Sequence, residues 1–187
     1  MSAPQPKAGR PRNPALDQAI LAAAAHSLGE LGYARMSLES VAAAAGTTTP
    51  SLRRRYRNKA ELVAAVIGSL RVAEPPAAAA TPRAHALAIL ENFHDNLRAG
   101  PAMAILGSLL AEEGRHPELL ESFKTRIVEP RRALLRKALA VGDFPASTDL
   151  DVLTGMLIGS FYGSYVTLAG IPDDWPGRVL SAIWPPE

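Results

Sequence analysis

Five cationic side chains, Arg53, Arg54, Arg55, Arg57 and Lys59, fall within seven consecutive positions, and the hydroxyls of Thr47, Thr48, Thr49 and Ser51 lead into them with Tyr56 in their midst. Donors of this kind recognise anionic oxygens. A guanidinium presents a planar fork that pairs bidentately with a phosphate or with the O6/N7 edge of guanine, and hydroxyls add single hydrogen bonds to phosphate. The spacing therefore points to polyanion chemistry, provided that the local structure holds these groups outward and together. Without such a frame, a charge run on a helix only keeps the surface solvated.

The flanking residues supply a frame. Ser37 predicts an N-cap, with Glu39 favourable at the positive helix end and Val41, Ala42 and Ala45 forming an apolar inner face. Gly46 ends that short helix, because glycine enters the left-handed region without a Cβ clash. Thr49 followed by Pro50 predicts an N-cap and first helical residue for a second helix running from Ser51 to about Tyr56. Leu52 and Tyr56, four apart, pack inward, which leaves Ser51, Arg53, Arg54 and Arg55 facing outward. Asn58 and Glu61 have capping-box spacing and launch a third helix through Lys59, Leu62, Val63, Val66 and Ile67. Upstream, Asn13 and Pro14 open a helix with Leu16, Ile20, Ala24 and Leu28 on one stripe, ending at Gly32. Two short helices joined by a tight turn form the geometry by which a second helix enters a major groove about 12 Å wide.

From about Pro14 to Ile67 the chain resembles the N-terminal domain of TetR-type (tetracycline-repressor-like) transcriptional regulators. The resemblance rests on Leu31-Gly32-Tyr33, Ser37, Val41-Ala42, Ala45-Gly46, Leu52, the aromatic Tyr56, Asn58-Lys59 and Glu61-Leu62. It implies that Thr49, Pro50, Ser51, Arg53 and Arg54 meet base edges, and that Thr47, Arg55, Tyr56 and Lys59, with Thr48 beside them, hold phosphates. Two positions depart from the family pattern. Arg53 stands where a tyrosine usually follows the recognition-helix leucine, and Arg57 where a proline often follows the aromatic; both add positive charge.

Charge divides the chain in the same place. Residues 1–72 hold ten lysines and arginines against four acids, a balance of +6, whereas residues 73–187 hold ten against fourteen, a balance of −4. The first 12 residues read as a flexible basic arm, since Asp17 and an apolar run of only seven residues, Ala19 to Ala25, do not make a secretory signal. With no cysteine, disulfides and thiolate metal sites are excluded, which suits a cytosolic protein.

After a Pro/Ala-rich hinge at Glu74 to Pro82, the remainder reads as helix throughout, with no alternating β pattern. Thr81-Pro82 opens a helix with Leu87, Leu90, His94 and Leu97 on one stripe; Ala102 to Glu113 is the next. Pro117 opens a long helix that Pro130 kinks and Gly142 ends. The segment HPELLESFKTRIVEPRRALLRKAL also resembles the ligand-binding C-terminal half of one branch of the TetR-type family. Val152 to Pro172 carries no charge over 21 positions, with Gly155, Gly159 and Gly163 four apart. Its hydroxyls and acidic flanks argue against a membrane span, so it reads as a buried helix whose glycines let a second subunit approach.

The expected architecture is thus all-α: a basic arm at 1–12, a three-helix helix-turn-helix domain at 13–72, and a helical ligand-binding and dimerisation domain at 81–187. The partners that follow are a double-stranded DNA operator, a second copy of the chain, and a small uncharged hydrophobic or aromatic effector; no membrane and no cofactor are expected. Phe93, His94, Leu97, Met103, Leu106, Leu110, Phe123, Met156, Leu157, Phe161 and Tyr162 are the candidate effector-lining residues, each also explicable as core. A rival reading as a di-iron helical bundle draws on Glu91/His94 and Glu113/His116, but His116 precedes Pro117 and is biased away from helix. A helical interaction protein that never touches DNA is the third alternative.

Overall fold

The structure, a computed structural model, describes residues 13–70, 79–98, 100–168 and 170–186. The expected basic arm and most of the hinge lie outside these residues. Among the described residues there are helices and connecting turns and no strand: α1 (Pro14–Arg35), α2 (Leu38–Ala44), α3 (Thr49–Arg53), α4 (Lys59–Ser69), α5 (Pro82–Arg98), α6 (Ala102–Ala111), α7 (Pro117–Phe123), α8 (Glu129–Leu139), α9 (Leu150–Thr167) and α10 (Trp175–Ile183).

Most helix starts lie where the capping residues put them. The side chains of Asn13, Ser37 and Asn58 accept backbone amides at the openings of α1, α2 and α4, and Thr81 does so for α5. At Gly32 the backbone leaves helical geometry (φ 75°), so α1 proper stops there and a short turn carries the chain to Met36. The long helix expected from Pro117 is interrupted as Pro130 requires. The proline lacks an amide for the Arg126 carbonyl and its ring crowds the preceding turn, and over Lys124–Val128 the chain widens to a π-helix in which the Glu129 amide reaches the Lys124 carbonyl.

Two hydrophobic cores result. The first, here called the head, gathers Ile20, Ala24 and Leu28 of α1, Val41 of α2, Leu52 of α3 and Leu62, Val63, Val66 and Ile67 of α4. It also takes in Ile105 and Leu109 of α6 and Leu119, Leu120 and Phe123 of α7. The second, the body, is built from Ile89, Leu90, Phe93 and Leu97 of α5, Leu135 and Leu139 of α8, Leu157 and Phe161 of α9, and Trp175 and Leu180 of α10. Each fully buried leucine or isoleucine stabilises by about 1.5–3 kcal/mol relative to exposure. The head therefore depends on α6 and α7 for part of its core. Polar contacts reinforce the seam: the Tyr33 amide donates to Ser108 Oγ at 2.7 Å, and the Tyr33 ring lies 4.7 Å from that of His116.

Candidate nucleic-acid interface

The turn between α2 and α3 is held by backbone hydrogen bonds of the Schellman type: Gly46 (φ 65°) donates to the Ala43 carbonyl and Thr47 to the Ala42 carbonyl. α3 then begins one residue earlier than the sequence suggested. Thr48, not Thr49, is the N-cap, its Oγ1 accepting the Ser51 amide at 3.3 Å, so that Thr49 and Pro50 are the first two helical residues. α3 also ends at Arg53 rather than near Tyr56, since Arg54 and Arg55 lie in the turn that follows. Leu52 is fully buried and pins this short rod to the head. Thr48, Pro50, Arg53, Arg54 and Arg57 are exposed, whereas Thr47, Thr49, Ser51, Arg55, Tyr56 and Lys59 are half-buried.

The cations do not share one role. Arg54 has no ion-pair or side-chain hydrogen-bond partner among the described residues, leaving its fork free. Arg53 lies 3.3 Å from Glu39 Oε1 across the α2–α3 pair, with both groups exposed. The backbone amide at the α2 N-terminus and then the Arg53 guanidinium hold the Glu39 carboxyl below the usual carboxylate range. Arg55 does not face outward as expected: its Nε donates to Asp17 Oδ1 at 2.6 Å and its Nη1 to the Ser51 carbonyl and hydroxyl, tying α3 to α1. The physical reason is the early end of α3, which swings residue 55 back toward the first turn of α1.

Lys59 is likewise engaged within the fold. Its Nζ donates to the carbonyls of Tyr33 (2.6 Å) and Ala34 (3.3 Å) at the end of α1 and stands 4.3 Å from the centre of the Tyr33 ring. Glu61 closes a variant of the capping box by accepting the amide of Arg57 (2.8 Å) instead of that of Asn58. Arg57, left out of the contact set by sequence reasoning, is exposed on the segment between α3 and α4; its place as a charge added where the family often has proline was the available signal.

The candidate effector residues scatter. Phe93, His94, Leu97, Leu157 and Phe161 are buried in the body core, with Met103 and Tyr162 packed against it. Leu106 and Phe123 belong to the head core instead, because α6 and α7 turn their apolar faces to α1 and α4. Leu110 (52% exposed) and Met156 (63%) face solvent in the single chain. The eleven residues therefore do not line one cavity. Nor is α9 buried all round: Thr154, Leu157 and Phe161 face the body, while Val152, Met156, Gly159, Gly163 and Val166 form an exposed stripe at helical spacing. A Cβ placed on Gly159 or Gly163 would meet nothing within 4 Å, whereas at Gly155 it would meet the Arg132 guanidinium at 3.7 Å. No group of three or more metal-ligating side chains occurs among the described residues, and no described helix is long and apolar enough to cross a membrane.

Comparison with known proteins agrees with this geometry. Residues 20–66 match the model of the bacterial regulatory proteins of the tetR family, and residues 75–183 match that of the tetracyclin repressor-like C-terminal domain. An HTH-type transcriptional regulator of Mycobacterium tuberculosis is 29% identical over 171 residues, covering 81% of this chain and 79% of the relative. YdeS of Bacillus subtilis, another HTH-type regulator, is 25% identical over 181 residues, covering 91% and 89%. Among solved structures, a TetR-family regulator from Mesorhizobium loti superposes with a TM-score of 0.69 at 17% identity, covering 92% of this chain and 95% of its own. With family models matched over residues 20–66 and 75–183, the chain belongs to the TetR family of DNA-binding transcriptional regulators and is not an enzyme.

Proposed function

We propose that the chain binds a two-fold DNA operator as a homodimer and acts as a repressor that a small, largely apolar or aromatic effector releases. The observation that carries this reading is the tip of the head: Arg54, exposed and without a partner among the described residues, sits just past α3, whose Thr48 cap, Pro50 and Arg53 are exposed beside it and whose back is locked into the core by Leu52. Arg53, Arg54, Thr49, Pro50 and Ser51 are assigned to base edges and nearby phosphates, with Thr47, Thr48 and Tyr56 at the backbone. Arg55 and Lys59, engaged inside the head, position α3 and α4, and only the donors their internal bonds leave over, Arg55 Nη2 and the third Lys59 N–H, remain for phosphate.

The second copy is assigned to the exposed stripe of α9. Val166 (82% exposed), Met156 and Val152 are apolar groups left in water, and the open backbone at Gly159 and Gly163 admits a helix closely. A reading head of this kind works in pairs, with half-sites one helical turn, about 34 Å, apart. Sensing follows from the shared core. Because α6 and α7 complete the head's core and α5, α8 and α9 form the body's, a ligand that fits one arrangement of the body shifts the population of head spacings.

Selection of bound duplexes from a random pool at stated salt tests the reading. The expected product is an inverted repeat whose sequence preference relaxes for Arg54→Ala; an unenriched wild-type pool overturns DNA recognition, and enriched single half-sites without symmetry overturn the dimer. Sedimentation showing only monomer at micromolar concentration would also remove the α9 interface.

A further inference from the structure

Resting on the effector-responsive reading, the geometry points to a carboxylate-binding subsite at Arg131, so that the effector is an organic acid with an apolar or aromatic body and not an uncharged compound. Arg131 lies on the inward stripe of α8, one turn before Leu135 and in line with Ala138, both buried in the body core. It is only partly exposed, and its Nη2 is buried with no hydrogen-bond partner. Its neighbours on the same helix are differently placed: Arg132 donates to the Asp151 carbonyl and Arg136 pairs with the Asp151 carboxylate at 2.9 Å. Among the described residues no carboxylate pairs with Arg131. Tyr162, on α9, packs against the same core, and burial weakens the Arg131 guanidinium's hold on its proton and raises the Tyr162 pKa.

A guanidinium taken partly out of water without a counter-ion is costly, and it is retained where an anion completes it. Its fork matches a carboxylate, and the Tyr162 hydroxyl of α9 is assigned to the same group as a further donor. The ligand's apolar body is assigned to the aromatic cluster of the same core. The Phe93 ring lies 6.4 Å from Tyr162 and 5.3 Å from Phe161, and Phe161 lies 6.1 Å from His94. His94, 3% exposed and stacked on Trp175 at 6.1 Å, also keeps a buried Nε2 with no partner, a second polar point within the same aromatic cluster. The subsite thus pairs an anion anchor on α8 with aromatic residues of α5, α9 and α10, in the body whose helices α5 and α8 adjoin α6 and α7, the helices that support the head.

The experiment is a tryptophan-fluorescence titration of the full chain with matched probes, 3-phenylpropanoate against 3-phenylpropanamide and decanoate against decanamide, repeated on Arg131→Gln and Tyr162→Phe. At least one acid is expected to bind roughly ten- to a hundredfold tighter than its amide, the worth of a charge-assisted pair. Arg131→Gln should erase that preference, Tyr162→Phe should reduce it, and free Arg131→Gln should melt at or above the wild-type temperature, since it removes an unanswered charge. Equal binding of acid and amide, no binding of any acid, a preference that survives Arg131→Gln, or a loss of fold in that variant would each overturn the subsite. The effector reading is judged separately by operator release: amides that bind and displace DNA would keep it while sinking the subsite, and acids that bind at Arg131 without displacing DNA would do the reverse.

Discussion

In the head, Asn13, Ser37, Thr48 and Asn58 each accept an amide at a helix start, Arg55 is tied to Asp17, and Lys59 closes the end of α1. In the body, His85 Nδ1, His94 Nε2 and Arg131 Nη2 are buried without partners among the described residues; Ser27 Oγ is their counterpart in the head. A region that docks rigidly on DNA gains from having its polar groups satisfied locally, because each fixed side chain lowers the ordering cost of binding. A region that must accept a ligand and change gains from the opposite, since groups left wanting in one state are what a ligand can satisfy. The contrast is sharp at Arg54, an exposed cation of the proposed reading tip with no partner among the described residues. It is free in water, where freedom costs little, while Arg131 is unpartnered inside.

The comparison breaks first at the seam. Phe123 lies in the body's half of the sequence but is buried in the head's core. Phe123→Ala should destabilise the chain by about 3–5 kcal/mol, with the loss appearing in α1 and α4. Hydrogen exchange checks it: if protection falls instead in α5 and α9, the two cores are not divided as described.

Next come the paired arginines, which separate binding from stability. Arg54→Ala should weaken operator binding by about 1–3 kcal/mol and relax sequence preference while leaving the unfolding midpoint in place. Arg55→Ala should do the reverse in order of size, lowering stability by about 1–3 kcal/mol because Asp17 and the Ser51 carbonyl lose a partly buried charged donor. Denaturant titration alongside anisotropy at fixed salt measures both. Equal effects of the two variants on both readouts would erase the distinction between reading and positioning cations.

A smaller effect tests the corrected start of α3. Thr48→Ala should cost about 1 kcal/mol through loss of the cap, whereas Thr49→Ala, at the first helical position, should leave stability nearly unchanged. The sequence alone did not separate the two, because a threonine triplet before proline offers adjacent candidates and cap strength depends on which hydroxyl the turn aims at the Ser51 amide. Elsewhere the head was legible for a physical reason: Ser37, Gly46 and Asn58 act within a few residues of themselves. The body was not, since the partition of Leu106 and Phe123 from Phe93 and Phe161 depends on which way α6 and α7 roll against distant helices. The uncharged run of α9 misled in the same way, as apolar content without period could not show that one face stays bare.

The smallest expected effect concerns Glu39, which faces Arg53 on the reading surface. Its folded-state pKa lies below the ordinary value, so its contribution to stability is present above that value and is lost as pH falls through the lowered one. Glu118, at the start of α7, is lowered in the same sense, by its own helix-start amide first and then by His116, so the head and its support weaken together on acidification. Glu39→Gln should therefore melt slightly lower than wild type near neutral pH, with the difference closing toward pH 3. The same substitution releases Arg53 and removes a negative charge from beside the duplex, and it should tighten DNA binding and steepen its salt dependence. Thermal melts across the acid range and anisotropy across salt give the two halves of the test. A variant that loses stability yet binds no tighter would place Arg53 with Arg55 as part of the scaffold, and would leave Arg54 and Arg57 as the exposed cations that meet the duplex.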